Sequence, residues 1–193
     1  MIEHLHWQRK DQSGIAGQHV MIVGYSHYTK KDDRDHKDFT NVAVNEVIYG
    51  NDGKYGGAMF SSIPRYFGNY ANRGDFWKKV DFFNFVPNSF LDKTKYANAN
   101  SEQNEIARIR FRRILSEERP DKVFVFSRKA WRSCKDALQE ADLNHAPFSY
   151  KLDGNWGTFV ADGKIIPVCG LRHPMLANAE EMRTAVQSFL SFN

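Results

Sequence analysis

The chain alternates short apolar runs with longer segments whose apolar positions recur three and four residues apart. His19–Gly24 is apolar from Val20 to Val23 and stops at a glycine, the pattern of a strand buried on both faces. Asp81–Val86, Lys122–Phe126 and Lys164–Val168 have the same character. Val44, Val47 and Ile48 predict a helix over Phe39–Tyr49, with Asp38 as its cap and Gly50 as its stop. Met59–Phe67 reads as helical in part, with Pro64 to be accommodated. Ser101 is the expected cap of a long helix reaching Glu118, with Ile106, Ile109, Ile114 and Leu115 inward and Pro120 closing it. Arg128–Ala141 is the next expected helix, and Asn178 caps a last one to about Leu190. Asp162-Gly163, between Thr158–Ala161 and Lys164–Val168, signals a hairpin.

This alternation predicts an α/β fold, a three-layer α/β/α sandwich around a central four-stranded parallel sheet, as one domain over residues 1–193. Ligands of such sheets bind beyond the carboxyl ends of the strands. The residues expected at the site are therefore Gly24–Tyr28, Asn84–Pro87, Ser127–Lys129 and Gly170–Met175. No repeat, low-complexity tract or linker interrupts the pattern.

Composition adds three points. Hydrophobic residues make up 41% and aromatics 14%, with fifteen Phe and eight Tyr, enough to build a core and leave rings over for stacking. The net charge of +4 favours anionic partners only weakly. Its distribution says more: ten Lys or Arg fall between Arg108 and Lys135 against Glu117, Glu118 and Asp121, the pattern of either a solvated helix face or a surface that tracks phosphates. Cys134 and Cys169 make no disulfide framework and read as buried thiols. The start of the chain lacks a signal-peptide pattern and no run has membrane-spanning length, so the expected setting is a reducing cytoplasm, away from membranes.

The chemistry follows from the strand ends. No Gly-x-Gly-x-x-Gly, phosphate-binding loop or Gly-x-Ser-x-Gly elbow is present, which disfavours common dehydrogenases, loop-type NTPases and α/β-hydrolases. Asn84 is the one amide in an apolar strand; it suits reading the edge of a planar base or closing a turn before Pro87. His173, between Arg172 and Pro174, suits donation to developing negative charge or a local backbone contact. Asp32, Asp33, Asp35, His36 and Asp38 alternate with Lys30, Lys31, Arg34 and Lys37, which repel a cation, so this run reads as a solvated loop and no metal is expected.

Taken in order, these strand ends resemble the uracil-DNA glycosylase superfamily over roughly residues 19–190. Gly24-Tyr25-Ser26-His27-Tyr28 resembles that family's water-activating motif, Gly-Gln-Asp-Pro-Tyr-His. Phe82-Phe83-Asn84 resembles its apolar strand ending in Asn, and His173-Pro174-Met175-Leu176 its His-Pro-Ser-Pro-Leu. Val123–Phe126, leading into Ser127-Arg128-Lys129-Ala130-Trp131, is similar to its third strand and turn. An uncharacterised bacterial branch reading Gly-Glu-Ser-His-Tyr, then an acidic loop and Phe-Thr, is closer still, as in Phe39-Thr40 here.

The resemblance implies a monomeric, cofactor-free protein that binds DNA and flips a base into a pocket. It places Asn84 and Tyr25 at the base, Phe60 stacked on it, and His173 at the departing base anion. Met175 or Leu176 would wedge into the duplex gap, and Arg128, Lys129 and Arg172 would hold phosphates. Ser26 stands where the family has its aspartate, and His27 where it has proline. A neutral hydroxyl orients water but does not act as a carboxylate base, so Ser26 and His27 are where any catalytic substitute is sought first, with Asp32 and Glu46 as others. Implied functions are a glycosylase of altered substrate range, a silent nucleic-acid or nucleotide-binding module, or another enzyme using His27 and His173.

Overall fold

The structure, a computed structural model, describes residues 3–29, 35–50, 58–70, 72–88, 90–91, 99–140 and 156–192. In chain order the elements are β1 (Val20–Gly24), β2 (Tyr28–Thr29), α1 (Phe39–Tyr49), α2 (Ala58–Phe67), α3 (Arg73–Trp77), β3 (Val80–Asn84), β4 (Phe90–Leu91), α4 (Ser101–Glu118), β5 (Lys122–Val125), α5 (Arg128–Cys134), β6 (Gln139–Glu140), β7 (Trp156–Ala161), β8 (Lys164–Gly170) and α6 (Ala179–Ser191). The expected α/β class is observed. The sheet has six strands rather than four, in the order β3-β1-β5-β8-β7-β6. The first four are mutually parallel, and β7 and β6 extend the sheet antiparallel beyond β8.

Strand alternation sorts the core into two halves. Val20, Ile22, Val80, Phe82, Phe124 and Cys169 pack against α1, α2, α3 and α6. Met21, Val23, Phe83, Val123, Val125 and Val168 point the other way, against α4 and α5. Both faces of the parallel strands are thus covered by helices, which is why the strands are apolar without interruption. Each fully buried Phe or Ile in these layers contributes about 1.5–3 kcal/mol of transfer free energy. The outer edge of β3 is closed by the N-terminal segment, where Trp7 pairs antiparallel with Phe82.

The expected helix around Pro64 is observed, whereas several other local expectations need correction. Pro64 lies inside α2 without ending it. The carbonyl its missing N–H leaves free, Phe60 O, accepts instead from Trp77 Nε1 at 3.0 Å. Helix α4 is capped by Asn100 through a reciprocal pair with Gln103, not by Ser101, and its buried stripe is Ala107, Arg110, Phe111, Ile114 and Leu115. Ile109, expected inward, is 57% exposed. Asp38 precedes α1 but makes no side-chain cap bond. The helix expected over Arg128–Ala141 ends at Cys134, because Gln139 and Glu140 pair with Thr158 and Gly157 of β7. By contrast, Asp162 and Gly163 form the expected hairpin turn with φ of 45° and 79°. Asn178 caps α6, accepting from the backbone N–H groups of Glu180 and Glu181. No described helix is long and apolar enough to cross a membrane.

Candidate functional site

Because β3, β1, β5 and β8 are parallel, their carboxyl ends lie along one edge, bringing Asn84, Gly24, Ser127 and Gly170–His173 to the same rim. The two strand-ending glycines are both close-approach positions. A Cβ on Gly24 would lie 2.2 Å from Asn84 Oδ1 and 2.9 Å from Met59 Cε. A Cβ on Gly170 would lie 2.2 Å from the Trp131 ring. The glycines therefore make room, one for the Asn84 carboxamide and the other for the indole that locks α5 onto β8.

Asn84 sits opposite Gly24 in the β1–β3 register, and both follow the alternation toward the α2 face. It is 4% exposed, and its carboxamide hydrogen-bonds to no described residue. Its backbone carbonyl accepts from Arg110 Nη1 at 2.7 Å. Arg110 is itself buried, donates Nη2 to His4 O at 2.5 Å and Nε to Glu3 at 3.2 Å, and lies 5.1 Å from the Phe83 ring centroid. Burial draws its pKa down to about 10, still cationic at neutral pH. A backbone pinned by a guanidinium thus presents an amide with unused donors and acceptors.

His173 is half-buried after β8. Its Nδ1 accepts from the Met175 N–H at 3.3 Å, and burial lowers its pKa. A neutral ring accepting at Nδ1 carries its proton on Nε2, which has no described partner and is left as a donor. The same 3-10 turn, Pro174–Leu176, packs against α2 and holds out Met175 and Leu176, 71% and 79% exposed. Arg172 is half-buried and forms no ion pair with a described residue. Arg128 and Lys129 open α5 on the same rim, exposed.

Other expected site residues are placed elsewhere. Tyr25 follows the alternation to the α4 and α5 face, opposite Asn84; its hydroxyl accepts from Ala99 N at 2.8 Å, Lys129 Nζ lies 5.5 Å from its ring, and burial raises its pKa. Phe60 is core, edge-on to Trp77 and Phe82 at centroid distances of 4.9 and 5.3 Å. The Ser26 hydroxyl faces the carbonyls of Asn88 at 2.9 Å and His27 at 3.0 Å, so its one proton is held by backbone. His27 turns inward, with Nε2 3.0 Å from Thr40 Oγ1 and its ring 5.4 Å from His4 and 4.8 Å from Phe39. Burial, with the nearby His4 and Arg110, lowers its pKa to about 3, leaving a neutral core imidazole. Asp32 lies outside the described residues, and one carboxylate oxygen of Glu46 is buried with no hydrogen-bond partner among them.

The cationic run is likewise redistributed. Arg108 pairs with Glu105 and Arg113 with Glu3 and Glu117, while Arg110 and Lys122 are buried. The basic residues of this run that the site rim receives are those at the start of α5. Among the described residues no group of three His, Cys, Asp or Glu is placed to hold a metal ion. Both cysteines are buried, and burial pushes their thiol pKa values up.

Sequence reasoning missed Met59 and Arg110. Met59 adjoins the Phe60 chosen for stacking, and only the helical register decides which of the two reaches Gly24. Arg110 was legible in principle, since it occupies the apolar stripe three residues after Ala107 and four before Ile114. No protein-family model and no curated protein matches the chain.

Proposed function

We propose that this protein binds DNA and draws a single base out of the stack to the Asn84 carboxamide beside Gly24 and Met59, in the manner of the uracil-DNA glycosylase superfamily. The observation that carries the reading is the Asn84 carboxamide, almost fully buried yet hydrogen-bonded to no described residue. Its polar atoms are not among those sealed from solvent without a bond, so a base edge offering a donor beside an acceptor would take the place of water there. Supporting it are the exposed Met175-Leu176 pair, suited to fill the gap a flipped base leaves, and the basic start of α5 on the same rim.

In this reading His173 acts on the leaving group. The bond between C1′ and the base nitrogen breaks with its electron pair moving to the base, and the His173 Nε2–H donates to the developing anion. Water adds to C1′ and releases its proton to solvent, because neither Ser26 nor His27 is placed as a base. Cleavage would rest on leaving-group stabilisation alone. That same feature favours a second reading, a base-binding module that recognises without cutting.

The test offers duplexes carrying uracil, hypoxanthine, xanthine and other modified bases, followed by alkali cleavage of abasic sites and by binding measured across salt concentrations. Abasic product from one of them, with His173→Ala reducing single-turnover cleavage by about 10²–10³-fold, is the expected result. Salt-dependent binding without product would establish the module. Absence of binding at low salt to every duplex would overturn both readings.

A further inference from the structure

We propose that Met59 is the specificity-determining side chain of the Asn84 pocket, an adaptable apolar wall that sets which planar heterocycles reach the carboxamide. The inference rests on Asn84 as the base reader. Its own observation is that Met59 Cε and Asn84 Oδ1 converge on one point: both would lie within 3 Å of a Cβ on Gly24. Met59 stands in the first turn of α2, half-buried, and α2 also packs against the turn that carries Met175 and Leu176. A heterocycle arriving from that turn to meet Asn84 over Gly24 comes up against the thioether.

The side chain suits such a wall. Methionine is unbranched and polarizable, moves among rotamers readily, and makes favourable contacts with ring edges. The neighbouring walls do not adapt. Phe60 is wedged between Trp77 and Phe82, and Gly24 is fixed in the β1–β3 ladder. Among the described residues beside Gly24, size discrimination therefore falls on the flexible Met59 side chain. The ligand class is a planar nitrogen heterocycle with adjacent donor and acceptor for Asn84 and an apolar edge or face for Met59.

The experiment follows the ¹³Cε methyl resonance of Met59 and the side-chain amide resonances of Asn84 while free uracil, cytosine, hypoxanthine and xanthine are titrated in turn. Wild type, Met59→Ala, Met59→Leu and Asn84→Ala are compared. In wild type, binding is expected to move the Met59 methyl and the Asn84 amide together. Met59→Ala is expected to shift the affinity ratio toward two-ring bases by about tenfold or more, as removal of pocket-filling groups does. Met59→Leu, similar in volume but branched, gives an intermediate ratio and serves if the alanine variant does not fold. A ratio unchanged within about twofold in both variants, with Asn84→Ala still abolishing binding, would overturn the role of Met59 and leave the base-reading pocket standing. If none of the four bases moves either wild-type resonance, the base reader and the inference fall together.

Discussion

Strand β3 carries a buried polar side chain near each end, and the fold treats the two oppositely. Asp81, at the amino end and 1% exposed, accepts from Arg9 N at 2.8 Å and from His19 Nε2 at 2.5 Å, with Arg9 Nη1 3.7 Å away. Asn84, at the carboxyl end and equally sheltered, offers its carboxamide to no described residue. The two edges of the sheet repeat the contrast. At the amino edge, Lys122 Nζ donates to the carbonyls of Phe189 and Phe192 at the end of α6, and Lys164 Nζ lies 2.7 Å from Asp121. At the carboxyl edge, Arg172 and His173 Nε2 have no described partners and Met175 and Leu176 are exposed. The contrast is one of degree, since Gln18 Oε1 beside the amino end of β1 is also buried without a partner.

The comparison breaks most visibly at Asp81. Asp81→Ala leaves His19 and Arg9 without their shared acceptor beside an apolar core, and an expected loss of about 3–5 kcal/mol in denaturant unfolding follows from removing one partner of a buried ionic cluster. Base binding at the far edge should survive in the folded fraction. A loss under about 1 kcal/mol would show that the amino edge is not held by this cluster.

Arg110→Met is next in size. It strips hydrogen bonds from the carbonyls of Asn84 and His4 at once, an expected cost of about 2–4 kcal/mol. Arg110→Lys should recover only part of this, because an ammonium cannot fork to Asn84, His4 and Glu3 together. Asn84 side-chain amide resonances should shift in both variants; if they do not, Arg110 holds the fold without positioning the Asn84 carboxamide.

His27 gives a pH-dependent version. Its folded pKa of about 3 lies below the ordinary histidine value, so the unfolded chain binds the extra proton. Stability from this group is complete above about pH 6.5 and falls as pH drops toward 3. His4, lowered mainly by burial against the opposing pull of Asp35, acts in the same direction, while Arg110 stays charged throughout. Between pH 7 and 5 the His27 share is roughly 2 kcal/mol, and His27→Gln should flatten the profile by that amount. An unflattened profile would mean that His27 is not the neutral core residue its packing with Phe39 and Thr40 makes it.

How much of this was legible in the sequence depends on the range of the forces involved. The apolar runs gave the four parallel strands, and Asn178 and Asp162-Gly163 gave a cap and a turn, because local chemistry decides those features. The β6 strand was not legible, since Gln139-Glu140 is strand only by pairing with β7. Gly24, Asn84 and His173 stood out as polar or glycine punctuation at strand ends, and the parallel order brings them to one rim. Tyr25 and His27 were misplaced for a simple reason: beyond a strand end each further residue changes face or turns inward, and the sequence does not say which. Tyr25 follows the pleat to the α4 side, and His27 is pulled under by Phe39, Thr40 and His4, the last from a segment more than twenty residues away.

The smallest expected effect is the sharpest test of the comparison. Asn84→Ala removes a side chain as buried as that of Asp81 from the same strand, yet its stability cost should stay within about 1 kcal/mol. The carboxamide makes no protein hydrogen bond and keeps contact with solvent, so truncation loses little beyond packing against Gly24 and Met59. Binding of the bases or duplexes that the wild type takes should be abolished in the same variant. Asp81→Ala should behave in the opposite way, unstable and binding-competent. A cost above about 2 kcal/mol for Asn84→Ala would mean that the carboxamide is held by the protein after all. It would then belong with Asp81 among the groups that build the sheet, and the proposed base-reading role would lose the observation that carries it.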